Sequence, residues 1–399
     1  MHNQLKLLLG GRVSTNVIDS FYFIAAVWYV TVETNSPLLI GVTGAVQALP
    51  VVLSFILGPI IDRYQKRTIL IVSIGVQSIA VLSIAGTYYA SSLSVPFLLV
   101  MLFIAQLASV SMRITEQTMI RRWTIDEDLT KVNGYFAFSY QTVDIIGDAL
   151  AGFAVALVGI GVIFSLSTVT LIGVGLLFAV WLKHDHKKSK TTYASFLNTY
   201  RRDFLQGAKV VIGRRRLLAI FAGIVLMNVS GAMGLAVLPA IASGADQYGL
   251  WLLATSIGML VGSLLAKRVA DVPIRWLFSA LGMFVGIAWI VAFSLPISFL
   301  SFVLFGVAWV GIGMFGVYLP TLIQVNIPEE YIGVGFSFLT AFLGCLSPAA
   351  FVLGGVIGEW LHPLIVLQIS GVGYILFSAY MWIHPSLRRL ENRVEELLE

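Results

Sequence analysis

Apolar runs of about twenty residues, separated by shorter polar stretches, recur from one end of this sequence to the other. A helix rises 1.5 Å per residue, so about 20 such residues cross the hydrocarbon core of a bilayer. Twelve runs qualify as spans: 10–34, 38–61, 68–88, 94–119, 132–156, 160–182, 217–241, 248–267, 275–295, 297–325, 331–357 and 363–384. The longest polar interruption, 183–216, divides six runs from six. The expected organisation is a six-helix half at 1–182, a cytoplasmic linker at 183–216, a second six-helix half at 217–385 and a tail at 386–399. Within the linker, Phe196, Leu197, Tyr200, Phe204 and Ala208 recur at helical steps, which predicts an amphipathic helix on the membrane surface. Leu390, Val394 and Leu397 predict a short surface helix in the tail. The fold class expected is an all-α membrane protein, with twelve transmembrane helices in two pseudo-symmetric six-helix halves.

Composition agrees with that pattern. Charged residues make up 11% of the chain and hydrophobic ones 58%, where soluble domains carry about 25% charged. The Lys and Arg residues cluster at Lys6 and Arg12, in 63–67, 121–131, 183–216 and 267–275, and in the tail at 388–393. Arg113 alone is left inside a span. The positive-inside rule therefore places both termini in the cytoplasm. The net charge of +5 reads as topology and inner-leaflet contact, so no nucleic-acid partner is expected. The first run lacks a small-residue cleavage site and reads as a span. Cys345 is the single cysteine, which excludes an intrachain disulfide.

The halves resemble each other at three places in the same order. "NVIDS" (Asn16–Ser20) is similar to "NVSGA" (Asn228–Ala232), "GPIIDR" (Gly58–Arg63) to "GSLLAK" (Gly262–Lys267), and "EDLTKVNG" (Glu127–Gly134) to "EEYIGVG" (Glu329–Gly335). Internal repeats with a working site at the midplane are characteristic of secondary transporters.

The unusual chemistry is ionisable groups at depth. Asp19 lies in the first run, Arg113 and Glu116 late in the fourth, and Asp144 and Asp148 in the fifth, all in the N-terminal half. An Asp at a helix centre costs about 2.5–3.5 kcal/mol on insertion scales. Four residues apart, Asp144 and Asp148 share a helix face and repel when both are ionised. Asp19, Asp144 and Asp148 are thus candidates for proton coupling or cation binding. The alternative is a set of neutral, hydrogen-bonded structural groups. Arg113 and Glu116, three apart, either neutralise each other or meet a charged substrate.

Other patterns carry less. "GIGMFG" (Gly311–Gly316) has dinucleotide-loop spacing but no preceding strand, so close helix packing is expected of it. His184 and His186 in a basic loop are not expected to bind a metal. No phosphate-binding loop and no nucleophilic triad is present, so neither an enzyme nor a cofactor is expected.

"GPIIDRYQKR" between the second and third runs carries Gly58, Asp62, Arg63, Lys66 and Arg67 at the spacing of a known loop signature, with Gln65 where a Gly is usual. With six plus six spans, it resembles the major facilitator superfamily. "QALP" (Gln47–Pro50), "DEDLTKVNGY" (Asp126–Tyr135) and "DFLQGAKVVIGRRRLL" (Asp203–Leu218) resemble the branch holding macrolide efflux proteins and enterobactin-type siderophore exporters. Two departures stand out. "RITEQTMIRR" (Arg113–Arg122) replaces the small residues common late in the fourth span, and Asp148 replaces the proline of a span-five exporter motif. The resemblance implies alternating access, with Gly58, Asp62, Arg63 and Arg67 in gating. The function expected is proton-antiport export of a small amphipathic or charged molecule. Export of a zwitterionic metallophore or siderophore, and ion-coupled import, are alternatives. The partners expected are a small-molecule substrate, protons and the lipid bilayer around a monomer, in the cell membrane of a bacterium.

Overall fold

The computed structural model describes residues 3–54, 57, 61, 64–123, 132, 136, 143, 146–182, 212–327, 339, 341–388 and 390–396. Ten helices are long and apolar enough to cross a membrane, and Pro37–Val52 and Ile146–Val158 are shorter apolar helices, which makes twelve. No strand occurs among the described residues. In chain order they are α1 (Asn3–Thr34), α2 (Pro37–Val52), α3 (Lys66–Tyr89), α4 (Val95–Trp123), α5 (Ile146–Val158), α6 (Ile160–Trp181), α7 (Arg215–Val237), α8 (Ala245–Leu265), α9 (Ile274–Ser294), α10 (Phe299–Asn326), α11 (Ser347–Trp360) and α12 (Pro363–Ile383). Each apolar run forms a helix because a backbone without water must satisfy its own hydrogen bonds. Tight reversals use left-handed residues: Asn35 (φ 49°) after α1, Ser91 (φ 52°) after α3, and Gly159 (φ 83°), the one residue between α5 and α6. α1 starts seven residues before the run expected from hydropathy, so Arg12 stands more than two turns inside the helix rather than at its start.

The chain divides into two compact units. The first comprises 1–35, 46–193 and 243–249. In it α3 packs against α4 and α6, and α1 against α6 and α4. Leu8, Ile74, Met112 and Phe178 are buried at its centre, and the Phe178 ring lies directly on Gly11, where no Cβ would fit. Gly152 of α5 meets Gly249 backbone to backbone.

The second unit comprises 36–45, 194–242 and 250–399. α9 packs against α12 and α10, and α7 against α12 and α11. Its core is aromatic. Trp251 lies 4.3 Å from Phe302 and 5.3 Å from Phe305, and Trp289 lies 4.8 Å from Phe305, by ring centroids. Gly258 and Gly262, one turn apart on α8, meet the backbone of α10 at Gly306 and Val310. Small residues let two helices approach this closely in a membrane. The "GIGMFG" glycines divide accordingly. Gly311 is filled by Val285, Gly313 meets the Met259 backbone, and Gly316 faces open space. The start of α2 packs on α11, where Gly355 lies against Leu38. Glu359 Oε2 accepts from Ser36 Oγ (2.8 Å) and from the Leu38 amide (3.2 Å), which satisfies the first turn of α2.

The tail corrects one expectation. Residues 384–388 and 390–396 are turns and irregular chain, not a surface helix, and Leu397 lies outside the described residues. Leu387, Leu390 and Val394 are fully buried. The Ile274 amide donates to the Asn392 carbonyl (2.9 Å), Arg393 pairs with Asp271 (2.9 Å), and Arg275 donates to the Arg388 carbonyl while stacking on Trp382. Apolar residues at helical spacing here fasten the chain to the start of α9. The linker's amphipathic stretch lies outside the described residues.

Two outcomes follow. Gly262→Val forces a branched side chain into the α10 backbone. It lowers stability by at least the roughly 1–3 kcal/mol typical of overpacking, read as a fall in thermal midpoint in detergent. Removing residues 385–399 exposes the start of α9 and lowers the same midpoint by several degrees, and a surface tail would leave it unchanged.

Candidate functional site

α1 places Arg12, Thr15, Asn16, Asp19 and Tyr22 at steps of three and four, on one face. Arg12 (1% exposed), Thr15, Asn16 and Tyr22 are buried, and Asp19 is partly buried. A polar face on a membrane helix must find partners inside the bundle, and α3 and α4 supply them. Gln77 of α3 donates from Nε2 to Asp19 Oδ1 (2.5 Å) and to Tyr22 Oη (3.2 Å). Ser109 of α4 donates to Asp19 Oδ2 (2.6 Å). The carboxyl is thus held at both oxygens by neutral donors from two other helices. Arg12 and Arg113 are the cations that act on it.

Arg12, which the positive-inside pattern groups with the cytoplasmic charges, is buried. Its Nε lies 3.5 Å from Glu116 Oε2, and Glu116 is fully buried. The pairs Asp19–Ser109 and Arg12–Glu116 share one antiparallel register of α1 and α4, seven residues apart on each helix. That is two turns, or about 10 Å. Gln106 extends the same stripe of α4 by donating to Gln47 of α2 (2.9 Å). Glu116 is therefore committed to α1, while Arg113, one turn before it, is exposed.

The remaining sequence candidates are placed as follows. Asp148, on α5, is half-buried and acts on Tyr248, which stacks on Trp28 at 6.4 Å. On α5, Gly147 lies against Ser20 of α1. Asp144 lies outside the described residues, as do Gly58, Asp62 and Arg63. Arg67 donates to the Ala179 carbonyl at the end of α6 (2.5 Å), and Lys66 is buried with its Nζ on the Ile61 carbonyl (2.7 Å). Both cations sit at carbonyls, where a positive charge is favoured. The structure brings Asp19, Arg12, Arg113 and Glu116 into one seam.

Sequence reasoning missed Arg12, Tyr22, Gln77 and Ser109. For Gln77 a signal existed: it is a lone amide in the apolar run "SIGVQSIAVL". Among the described residues, no cluster of three or more His, Cys, Asp or Glu could hold a metal. The seam can take up and release a proton, or hold a cationic or hydrogen-bonding group, at Asp19. It presents no nucleophile activated by a base.

Twelve apolar helices, with a buried polar seam in the first unit, and the family match below make this a multi-pass membrane transporter rather than an enzyme. The sequence matches the model of the Major Facilitator Superfamily over residues 9–352, and the chain belongs to that family. No curated protein matches it. Among solved structures it is similar to the nucleoside transporter NupG (TM-score 0.67, 13% identity, covering 95% of this chain and 98% of that one). It is also similar to a bacterial homologue of the iron transporter ferroportin in an inward-facing state (0.67, 16%, 94% and 98%). A third is a bacterial homologue of the human lysosomal transporter Spinster, inward-facing and unoccupied (0.64, 14%, 95% and 98%). At these identities the likeness shows the fold.

Removing one partner of a buried ion pair leaves the other charge uncompensated. Glu116→Leu is expected to cost about 3–5 kcal/mol of unfolding free energy, and Arg12→Leu a similar amount. The double Leu variant should recover most of the loss, read by chemical denaturation of each protein in the same detergent.

Proposed function

We propose that this transporter is a proton-coupled exporter of a small amphipathic or charged molecule, and that Asp19 carries the proton. The observation that supports this most is Asp19 itself, a partly buried carboxyl within a membrane helix, held by Gln77 and Ser109. It can change its proton without breaking the ion pair two turns away. Asp148 is a second acidic group in the same unit, and Asp144 joins it by sequence. The membrane potential provides about 2.3 kcal/mol per charge per 100 mV. One proton at about 150 mV therefore sustains a gradient of a few hundredfold.

In this reading, residues 1–182 and 217–385 form the two moving halves, joined on the cytoplasmic side by 183–216. The protein sits in a bacterial cell membrane as a monomer, with both termini inside. Arg113 contacts a charge on the substrate. Glu116 sets the field around it through Arg12. Gly58, Asp62, Arg63 and Arg67 gate the cytoplasmic side, with Arg67 anchoring α3 to the end of α6. The resemblance to macrolide efflux proteins favours an apolar, cationic cargo. A zwitterionic metallophore or siderophore is the second reading, and the exposure of the cation Arg113 close to Asp19 favours it.

The test uses everted membrane vesicles with an imposed pH gradient, inside acidic. The probes are a macrolide, ethidium and a catecholate siderophore. Accumulation of a probe that collapses with the gradient supports export, and the probe that moves decides between the two cargo readings. Uptake in right-side-out vesicles with none in everted ones makes the protein an importer. Asp19→Asn should abolish gradient-driven accumulation, while downhill exchange of the same probe persists. Full gradient-driven transport by Asp19→Asn removes Asp19 from the coupling.

A further inference from the structure

Gln77 does more in this seam than fill space. Its Nε2 engages both Asp19 and Tyr22. Its Oε1 is buried without a hydrogen-bond partner among the described residues, and the side chain is 0% exposed. Buried carbonyl oxygens are ordinarily paired. The two ends of an amide are close in size and shape but opposite in hydrogen-bonding sense. A glutamine satisfied at both ends is locked in one orientation. Here one end is left unpartnered whichever way the amide turns, so that cost does not decide the orientation.

The proton on Asp19 decides it. An ionised carboxylate only accepts, so the amide must turn its NH2 toward it, as observed. A protonated carboxyl gains an O–H donor, and the best partner for that donor is the amide oxygen. Turned over, Oε1 can accept from Asp19 with one lone pair and from the Tyr22 hydroxyl with the other. Ser109 can also reverse its hydroxyl, but among the described residues no hydrogen bond carries that change to a further side chain. Gln77 also holds Tyr22, which lies one turn along α1 from Asp19.

We propose that Gln77 is a two-position positioning residue. It turns about its Cγ–Cδ bond when Asp19 gains or loses a proton, and it passes that change to Tyr22. The proposal rests on the reading of Asp19 as the proton-carrying group. Only the Asp19 O–H bond forms or breaks. The proton comes from and returns to the water that reaches Asp19, which is only partly buried, and Gln77 exchanges hydrogen bonds alone. The charges facing Asp19 are Arg12 from its own helix and Arg113 from α4, beside the neutral phenol of Tyr22, with Glu116 of α4 paired to Arg12. α3 offers the Gln77 amide. α6, packed on α1, has Ser167 and Thr168 buried with their hydroxyls on its own backbone, and α5 brings Gly147 to Ser20. A guanidinium only donates, so neither Arg12 nor Arg113 can replace Gln77 in the second position.

The test uses the full-length protein in lipid nanodiscs, with carbon-13 in its glutamine side-chain carbonyls, titrated under infrared difference spectroscopy. The carboxyl band of protonated Asp19 is assigned by its loss in Asp19→Asn. The Gln77 amide band is assigned by its loss in Gln77→Met. Both bands are expected to change with one midpoint, and the Gln77 change should vanish in Asp19→Asn. In Ser109→Ala, which alters Asp19 without touching the amide, the two midpoints should move together. If Gln77→Met does not fold, loss of the pH-dependent amide change in Asp19→Asn makes the assignment. A Gln77 band that stays constant while Asp19 titrates overturns the switch and leaves the proton reading intact. An Asp19 carboxyl that does not titrate overturns both.

Discussion

A charged or hydrogen-bonding side chain in the hydrocarbon core has no water to satisfy it, so it must be met by another helix at a fixed position. The polar face of α1 carries that constraint in this protein. Arg12, Asn16, Asp19 and Tyr22 follow one another along it, and each fixes what its neighbours can be. Asp19 requires Gln77 of α3 and Ser109 of α4, and Arg12 requires Glu116. Because both α4 contacts obey one antiparallel register, sliding α4 by a turn would break both at once. A seam adopted at the expense of apolar packing thus specifies the helix arrangement. It also leaves a carboxyl held at both oxygens by neutral donors, with two guanidinium groups acting on it from further off.

The rest of the packing follows from the same lack of water. Nothing in lipid drives apolar helices together more than they already prefer lipid, so contact area must come from close approach. Hence the backbone-to-backbone meetings of Gly152 with Gly249 and of Gly262 with Val310, and the Phe178 ring on Gly11. The second unit has no comparable polar seam among its described residues. It uses interleaved rings of Trp251, Trp289 and Phe305 instead. At the polar boundary, where water returns, different means hold the chain: Glu359 on the start of α2, Arg67 on the end of α6, and the tail on the start of α9.

Much of the fold was legible because hydrophobic length is a direct readout of the bilayer. All twelve helices fall within or across the apolar runs that predicted them, and much of the runs 38–61, 132–156 and 331–357 lies outside the described residues. The exceptions have causes. Arg12 reads as a cytoplasmic charge because a lone Arg near a terminus usually is one, and its partner lies 104 residues away at Glu116. The tail's spacing of Leu390 and Val394 reads as an amphipathic helix, since periodicity records which residues want burial and not what backbone achieves it. Asp19 was visible as an anomaly of charge. Gln77 stood out only as a lone amide in an apolar run, and Ser109 not at all, because a neutral polar residue in a span is common and only its neighbour gives it a role.

By itself, then, the sequence determined the solvent, the number of helices and the presence of costly acidic groups, all of which depend on local composition. The tertiary structure decided which acid meets which donor, that Glu116 serves Arg12, and that Gln77 stands between Asp19 and Tyr22. Those pairings join residues 55 to 104 positions apart in the chain. They are fixed by helix register, which no single run encodes.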